Sequence, residues 1–158
     1  MMLSELLEPG AVSVRLRATS KREAIAELVE LLENGHSVKS QGEILDRVLR
    51  REAMMSTGIG NGVAIPHGKA RSVDRMLAAC AVAPEGIDFE AVDGEPARVF
   101  ILLVSPENVG AVHVRVLANI SRLLKEESVR RQIVESGSTT ELLDGLRAAE
   151  AKYLTPAS

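Results

Sequence analysis

Cysteine occurs once in the 158 residues, at Cys80, which excludes an internal disulfide and any multi-cysteine zinc site. Aromatic residues are nearly as scarce, with no Trp, one Tyr and two Phe, so stacking platforms for single-stranded nucleic acid or sugar rings are not expected. Neither sign of charge is in excess: 19 Lys+Arg stand against 22 Asp+Glu, a formal charge of −3. A general nucleic-acid binder would carry a basic surplus, so no nucleic-acid partner is expected. The longest apolar run, Met76 to Ala83, falls far short of the roughly 20 residues that span a bilayer, so no direct membrane insertion is expected. The first residues, Met1-Met2-Leu3-Ser4-Glu5, place no basic segment before an apolar one, so no secretion signal is expected. Low-complexity tracts, solenoid repeats and Pro/Gly/Ser linkers are absent too. What is there is the ordinary balance of a globular chain, 46% hydrophobic and 26% charged. A chain of this length buries roughly 70% of its unfolded surface, enough for one core, so residues 1–158 are expected to form a single cytoplasmic domain.

Local patterns give the elements. Val12, Val14 and Leu16 alternate with Ser13 and Arg15, the period of a half-buried strand. Ser20-Lys21-Arg22-Glu23 is a capping box ahead of the stripe Ile25, Leu28, Val29 and Leu32, a helix expected to stop at Asn34-Gly35. Boxes of the same form at Ser40–Glu43 and Ser138–Glu141 open two more helices. Val63-Ala64-Ile65, Met76 to Val82 and Val99 to Val104 are strand candidates, the last suited to a central position buried on both faces. Ser105-Pro106 is expected to start a helix, with Pro in its first turn and the stripe Val109, Val112, Val116, Ile120 and Leu123. A further helix is expected over about Glu126 to Glu135. Helices that precede and interleave with strands make an α/β fold, a mixed sheet covered on both faces.

Chemistry concentrates in Ser56-Thr57-Gly58-Ile59-Gly60-Asn61-Gly62-Val63-Ala64-Ile65-Pro66-His67-Gly68. Its alternate glycines are open to two readings, a sharp turn between helix and strand or a set of backbone N–H groups approaching an anion. They match neither a P-loop nor a dinucleotide fingerprint. His67 sits between a stiffening Pro66 and a small Gly68, an arrangement for an accessible imidazole at a strand end or for a partly buried structural one. His113 is in phase with Leu117, Ile120 and Leu124 and therefore faces inward, either as a core histidine or as a second imidazole near a helix N-terminus. His36, in a Gly-His-Ser turn, is expected to be exposed. Three His without carboxylates at ligand spacing make a poor metal site. Met54, Met55 and Ile59 read either as core or as an apolar collar for partners, and Cys80 as buried filler.

Arg51-Glu52, the Ser56–Gly68 segment, Ala91-Val92-Asp93-Gly94-Glu95-Pro96, Leu102-Leu103-Val104-Ser105-Pro106 and His113 occur in an order that resembles the fructose/mannitol-type enzyme IIA domains of the bacterial phosphotransferase system. The resemblance runs over roughly residues 3 to 150, and Gly58-Ile59-Gly60-Asn61-Gly62 is most similar to the nitrogen-regulatory branch. It implies an α/β sandwich with a mixed, mainly five-stranded sheet. It also implies protein-to-protein phosphoryl transfer: from the phosphorylated histidine carrier protein to His67, then to an enzyme IIB domain or, in signalling, a change in binding to a regulatory target. His113 beside the acceptor and Arg51 at the rim are implied to orient the imidazole or stabilise the phosphoryl group. A neutral imidazole is a competent nucleophile at pH 7. Such transfer rests on positioning and charge neutralisation, and no cofactor or metal is expected. Glycine-loop N–H groups and the helix after Ser105 are further candidates for that neutralisation. Two roles stay open, nitrogen-regulatory signalling and a transfer step in sugar uptake.

Overall fold

The computed structural model describes residues 1–154. A short helix α1 (Leu3–Leu6) and a 3₁₀ turn at Pro9–Ala11 lead into β1 (Val12–Ser13). Helices α2 (Lys21–His36) and α3 (Glu43–Met54) follow. Next come β2 (Gly58–Gly60), β3 (Val63–Ala64), β4 (His67–Lys69), β5 (Leu77–Ile87) and β6 (Ala97–Ser105). Helices α4 (Gly110–Leu124), α5 (Glu127–Glu135) and α6 (Thr139–Tyr153) complete the chain.

The sheet runs β1-β5-β6-β3-β2, with β4 also beside β6. The antiparallel pair β5/β6 is its centre, with Cys80 opposite Ile101, and β1 is parallel to β5. On the other side of β6 the pairs Val63–Val99 and Ala64–Phe100 continue in unchanged register as His67–Leu103, Gly68–Val104 and Lys69–Ser105. Strands β3 and β4 are thus one parallel strand interrupted at Ile65-Pro66, which reconciles six short strands with the five expected. Pro66 accepts from the Leu103 N–H at 3.1 Å but has no N–H of its own, so the ladder loses a rung there. β2 returns antiparallel to β3 only, and among the described residues β4 has a free outer edge.

Alternation along the two central strands feeds two cores. Cys80, Ile101 and Leu103 pack with Val116, Ile120 and Leu123 of α4 and with α5 and α6. Ala79, Phe100 and Leu102 pack under Ile25, Leu28 and Ile44 of α2 and α3. Both faces are covered, as the pattern of elements predicts, and Cys80 is fully buried. The Glu150 carboxylate of α6, itself buried, accepts from the Ser4 N–H at 3.0 Å and from the Ser4 hydroxyl, tying the last helix to the first.

Several local expectations shift. Ser20 and Ser138 cap α2 and α6, accepting from the Glu23 and Glu141 N–H groups. The Ser40 box does not form: Gly42, with φ 91°, is the N-cap of α3. Glu43 turns instead to accept from the Arg71 and Ser72 N–H groups at 3.0 and 2.9 Å. The strand expected over residues 11–16 keeps only Val12–Ser13. α2 runs past Asn34-Gly35 to His36. His36 is half-buried, not exposed, with Nε2 2.9 Å from the Ala78 carbonyl oxygen. The helix expected from Ser105-Pro106 begins only at Gly110, because Ser105 still belongs to β6, where its carbonyl accepts from the Ala70 N–H at 2.9 Å.

Candidate active site

The short β4 strand projects His67 and Lys69 to the side where α4 begins, while Gly68 faces α3. A Cβ on Gly68 would lie 3.3 Å from the Val48 nitrogen and 3.4 Å from the Arg47 carbonyl carbon, so its absence lets α3 press against the strand. The arginines of α3 thereby reach the free edge of β4 from one side, and His113, in the first turn of α4, reaches it from the other. Together Arg47, Arg50, Arg51, Met54, His67, Gly68, Lys69 and His113 line a cleft of about 400 Å³.

His67 is half-buried, and its Nδ1 lies 2.8 Å from the Ile65 carbonyl oxygen. A carbonyl only accepts, so Nδ1 carries the proton in the neutral ring and Nε2 keeps its lone pair. Ile65 has this carbonyl to give because it faces away from β6: its N–H donates outward too, to the Thr57 carbonyl at 3.0 Å. His113 is 5% exposed, and its Nδ1 is 2.6 Å from the hydroxyl of the fully buried Ser105. The two imidazoles lie 5.5 Å apart, centroid to centroid, tilted by 56°. Burial, with the charges of His67 and Lys69 adding to it, lowers the pKa of His113 from 6.5 to about 4. Burial also lowers that of His67, and Arg51 acts in the same direction, against the Ile65 hydrogen bond and Glu52. Both rings are neutral at pH 7.

Four cations surround these rings, and two are neutralised locally: Arg47 pairs with Glu107 at 3.1 Å and Arg50 with Asp46 at 3.0 Å. Arg51 donates to the Met55 carbonyl at 2.9 Å, closing the end of α3, and meets no carboxylate among the described residues. Lys69 has no ion-pair partner among the described residues, and its Nζ lies 3.8 Å from where Gly110 would carry a Cβ, at the first turn of α4. The cleft therefore holds two neutral imidazoles in a net positive field, an arrangement that attracts an anion and leaves one ring nitrogen free to bond it.

The structure brings His67, His113 and Arg51 to one cleft. It separates them from the glycine loop. Asn61-Gly62 form the tight turn of the β2/β3 hairpin, both with positive φ, at the opposite end of the strand from His67. That turn is about 16 Å away at the usual strand rise. Two of its amides are also occupied: Gly58 N–H donates to the Ser56 hydroxyl and Asn61 N–H to Asp93. Of the two readings of the glycines a sharp turn is found, but it joins β2 to β3 and not a helix to a strand. Met54, Met55 and Ile59 are surface, not core, at 81, 69 and 42% exposed, and Met54 lines the cleft itself. Residue-type reasoning missed Arg47, Arg50, Lys69 and Ser105. Arg50 and Arg51 lie three and four residues after Arg47, on its side of the helix, and Lys69 lies two strand positions from His67, so both periodicities held the signal.

These features define a class: an α/β sandwich whose sheet edge presents paired histidines to an anion. The chain belongs to the EIIA 2 family of the phosphoenolpyruvate-dependent sugar phosphotransferase system, whose model matches residues 5–149. It is 35% identical over 135 residues to a nitrogen regulatory protein of Bradyrhizobium diazoefficiens, covering 84% of this chain and 86% of that one. It is 31% identical over 144 residues to the fructose-specific EIIABC component of Bacillus subtilis, 91% of this chain but only 23% of that longer protein. Among solved structures, nitrogen regulatory protein IIA-Ntr of Neisseria meningitidis matches with TM-score 0.83 and 30% identity, over 90% of this chain and 97% of that one. The mannitol enzyme IIA of Escherichia coli, solved in complex with phosphorylated mannitol enzyme IIB, matches with TM-score 0.76 and 27% identity over 90 and 97%. That mannitol domain thus sits beside its enzyme IIB, and the family is a component of a phosphotransferase system. Among the described residues no helix is long and apolar enough to cross a membrane.

Proposed function

We propose that this chain is a histidine phosphocarrier in which Nε2 of His67 accepts the phosphoryl group of the phosphorylated histidine carrier protein. The observation that carries the reading is the 2.8 Å contact of His67 Nδ1 with the Ile65 carbonyl, which leaves Nε2 as the basic nitrogen. The Nε2 lone pair attacks phosphorus, and the donor's N–P bond breaks with its electron pair returning to the donor ring. A proton on that ring's other nitrogen lets it leave neutral. His67 keeps its Nδ1–H, and the positive character that develops on the ring is stabilised by the Ile65 oxygen. Arg51 and Lys69, free of carboxylates, take the phosphoryl oxygens, and the neutral His113 donates a hydrogen bond when Ser105 holds its Nδ1. Met54 and Met55 form the exposed apolar rim on which successive partners dock.

The onward step is transfer to an enzyme IIB domain or a change in binding to a regulatory target. The Gly58-Ile59-Gly60-Asn61-Gly62 hairpin favours the nitrogen-regulatory role, with a sugar-specific transfer role as the second reading. On either reading residues 1–158 act as one cytoplasmic domain. The test is incubation with labelled phosphoenolpyruvate, enzyme I and the carrier: the wild type is expected to take up one phosphoryl group per chain and the His67→Ala variant none. Undiminished labelling of that variant refutes the assignment, and fast discharge to a sugar-specific IIB favours the transport role.

A further inference from the structure

Beneath the cleft lies a buried carboxylate that touches neither histidine. Glu52, 7% exposed at the end of α3, accepts from the Thr57 N–H at 2.7 Å and from the Thr57 hydroxyl. Lys21, at the first position of α2, completes its environment at 3.0 Å. Thr57 in turn is 4% exposed, and its carbonyl accepts from Ile65 N–H at 3.0 Å. Ile65 then holds His67 Nδ1 at 2.8 Å. The contacts form one line, from ammonium to carboxylate to the Thr57 backbone, the Ile65 backbone and the imidazole. Thr57 and Ile65 each take part through both their N–H and their C=O, so holding Thr57 in place holds the Ile65 carbonyl against the ring.

A simple anchoring role for Glu52 leaves the feature half explained. Closing a loop needs one hydrogen bond, and a neutral side chain supplies it without the cost of burying a charge. Here the carboxylate takes both donors of one residue, and that residue's carbonyl is the acceptor that fixes Ile65. We infer that Glu52 is a positioning residue for His67, acting by fixing the backbone of Thr57 and, through it, of Ile65 to hold the imidazole in its Nδ1–H form with Nε2 free. The inference rests on the reading of His67 as phosphoryl acceptor. Its logic is that of a buried aspartate that fixes the tautomer of a catalytic histidine, with backbone amides standing between the two groups.

The test reads the tautomer directly, by nitrogen-15 NMR of the His67 ring at neutral pH, beside the rate of phosphoryl uptake from the phosphorylated carrier. Wild-type protein is expected to show the Nδ1–H form, the opposite of the preference of free histidine; a ring in the Nε2–H form overturns the inference at once. Glu52→Gln keeps shape and one acceptor, but its amide nitrogen cannot accept the Thr57 hydroxyl proton. It is expected to populate the Nε2–H form and to slow uptake about tenfold or more, with one phosphoryl group per chain still reached. An unchanged tautomer and a rate within twofold of wild type in that variant overturn the inference. Should Glu52→Gln not fold, Thr57→Val decides, since it removes one of the two bonds in an isosteric side chain. A smaller shift in the same direction is expected, and no shift overturns the inference. The NMR reading needs no phosphoryl donor, so a wild-type protein that takes up no label defeats the phosphocarrier reading without deciding the coupling of Glu52 to His67.

Discussion

His113 and His67 face each other at 5.5 Å between ring centroids, yet each is held by a different element: His67 by the Ile65 backbone, His113 by the Ser105 side chain. His67 is therefore set by the strand on which it sits, and its neighbour by β6. Their separate supports let each be altered without moving the other.

Replacing His113 by Ala is expected to leave His67 phosphorylated but slowly, by about 100- to 1,000-fold, the usual effect of losing one preorganised donor. The buried Ser105 hydroxyl loses its partner too, lowering stability by about 1–3 kcal/mol. Stopped-flow transfer and urea unfolding on one variant separate the two effects. A lowered stability with wild-type transfer in the folded fraction makes His113 a structural histidine.

Lys69→Met removes a cation that has no carboxylate partner among the described residues. The His113 pKa should rise from about 4, since the Lys69 charge is one of the forces depressing it. Arg51→Met should likewise raise the His67 pKa, which the Arg51 charge lowers. Both variants should take up phosphoryl more slowly, and the wild-type rate should fall with added salt more steeply than theirs. Proton NMR titration of the two imidazoles checks the shifts. Unmoved pKa values would place these cations outside the field of the site.

Acid should weaken the fold through the same two rings. The pKa of His113 is about 4 when folded against 6.5 ordinarily, so between those values the unfolded chain binds a proton that the folded one refuses. Stability therefore declines as pH falls from 6.5 toward 4, by about 3 kcal/mol when the full shift is expressed. His67, also lowered, adds in the same direction. Urea unfolding at pH 7, 5.5 and 4.5 should show the decline, and His113→Gln should flatten it. Parallel curves for the two proteins would sink the assignment.

Gly35→Ala is expected to destabilise, although Ala favours a helix interior over Gly by about 1 kcal/mol. A Cβ there would stand 2.4 Å from the Ala11 nitrogen and 2.6 Å from the Gly10 carbonyl carbon. Backbone on both sides cannot yield, and α2 must lift from the 3₁₀ turn. A melting temperature at or above wild type would contradict the close approach.

Legibility in the sequence followed the range of the interactions. Ser20 and Ser138 announce their helices because a cap is settled within four residues. Ser40 misleads because Glu43 is captured by amides of Arg71 and Ser72, far along the chain. β2 and β4, three residues each and rich in glycine, carry no alternation; their register beside β3 and β6 alone makes them strands. His67 and His113 stand out because a lone imidazole in a tight or apolar setting is unusual. Lys69 and Arg47 do not, since surface cations are common, and only the approach of α3 over Gly68 brings them to one cleft.

The interruption of one strand at Pro66 has a consequence for variation. The acceptor that orients His67 is a main-chain oxygen, so a point substitution at position 65 leaves it in place. Val or Leu there changes how the buried side chain fills the core but still offers the same carbonyl to His67. Position 65 is thus tolerant among apolar side chains and strict in geometry. Mutational drift can exchange one buried apolar side chain there for another, while any insertion or deletion between Ala64 and His67 breaks the register with Phe100 and Leu103 that aims the ring.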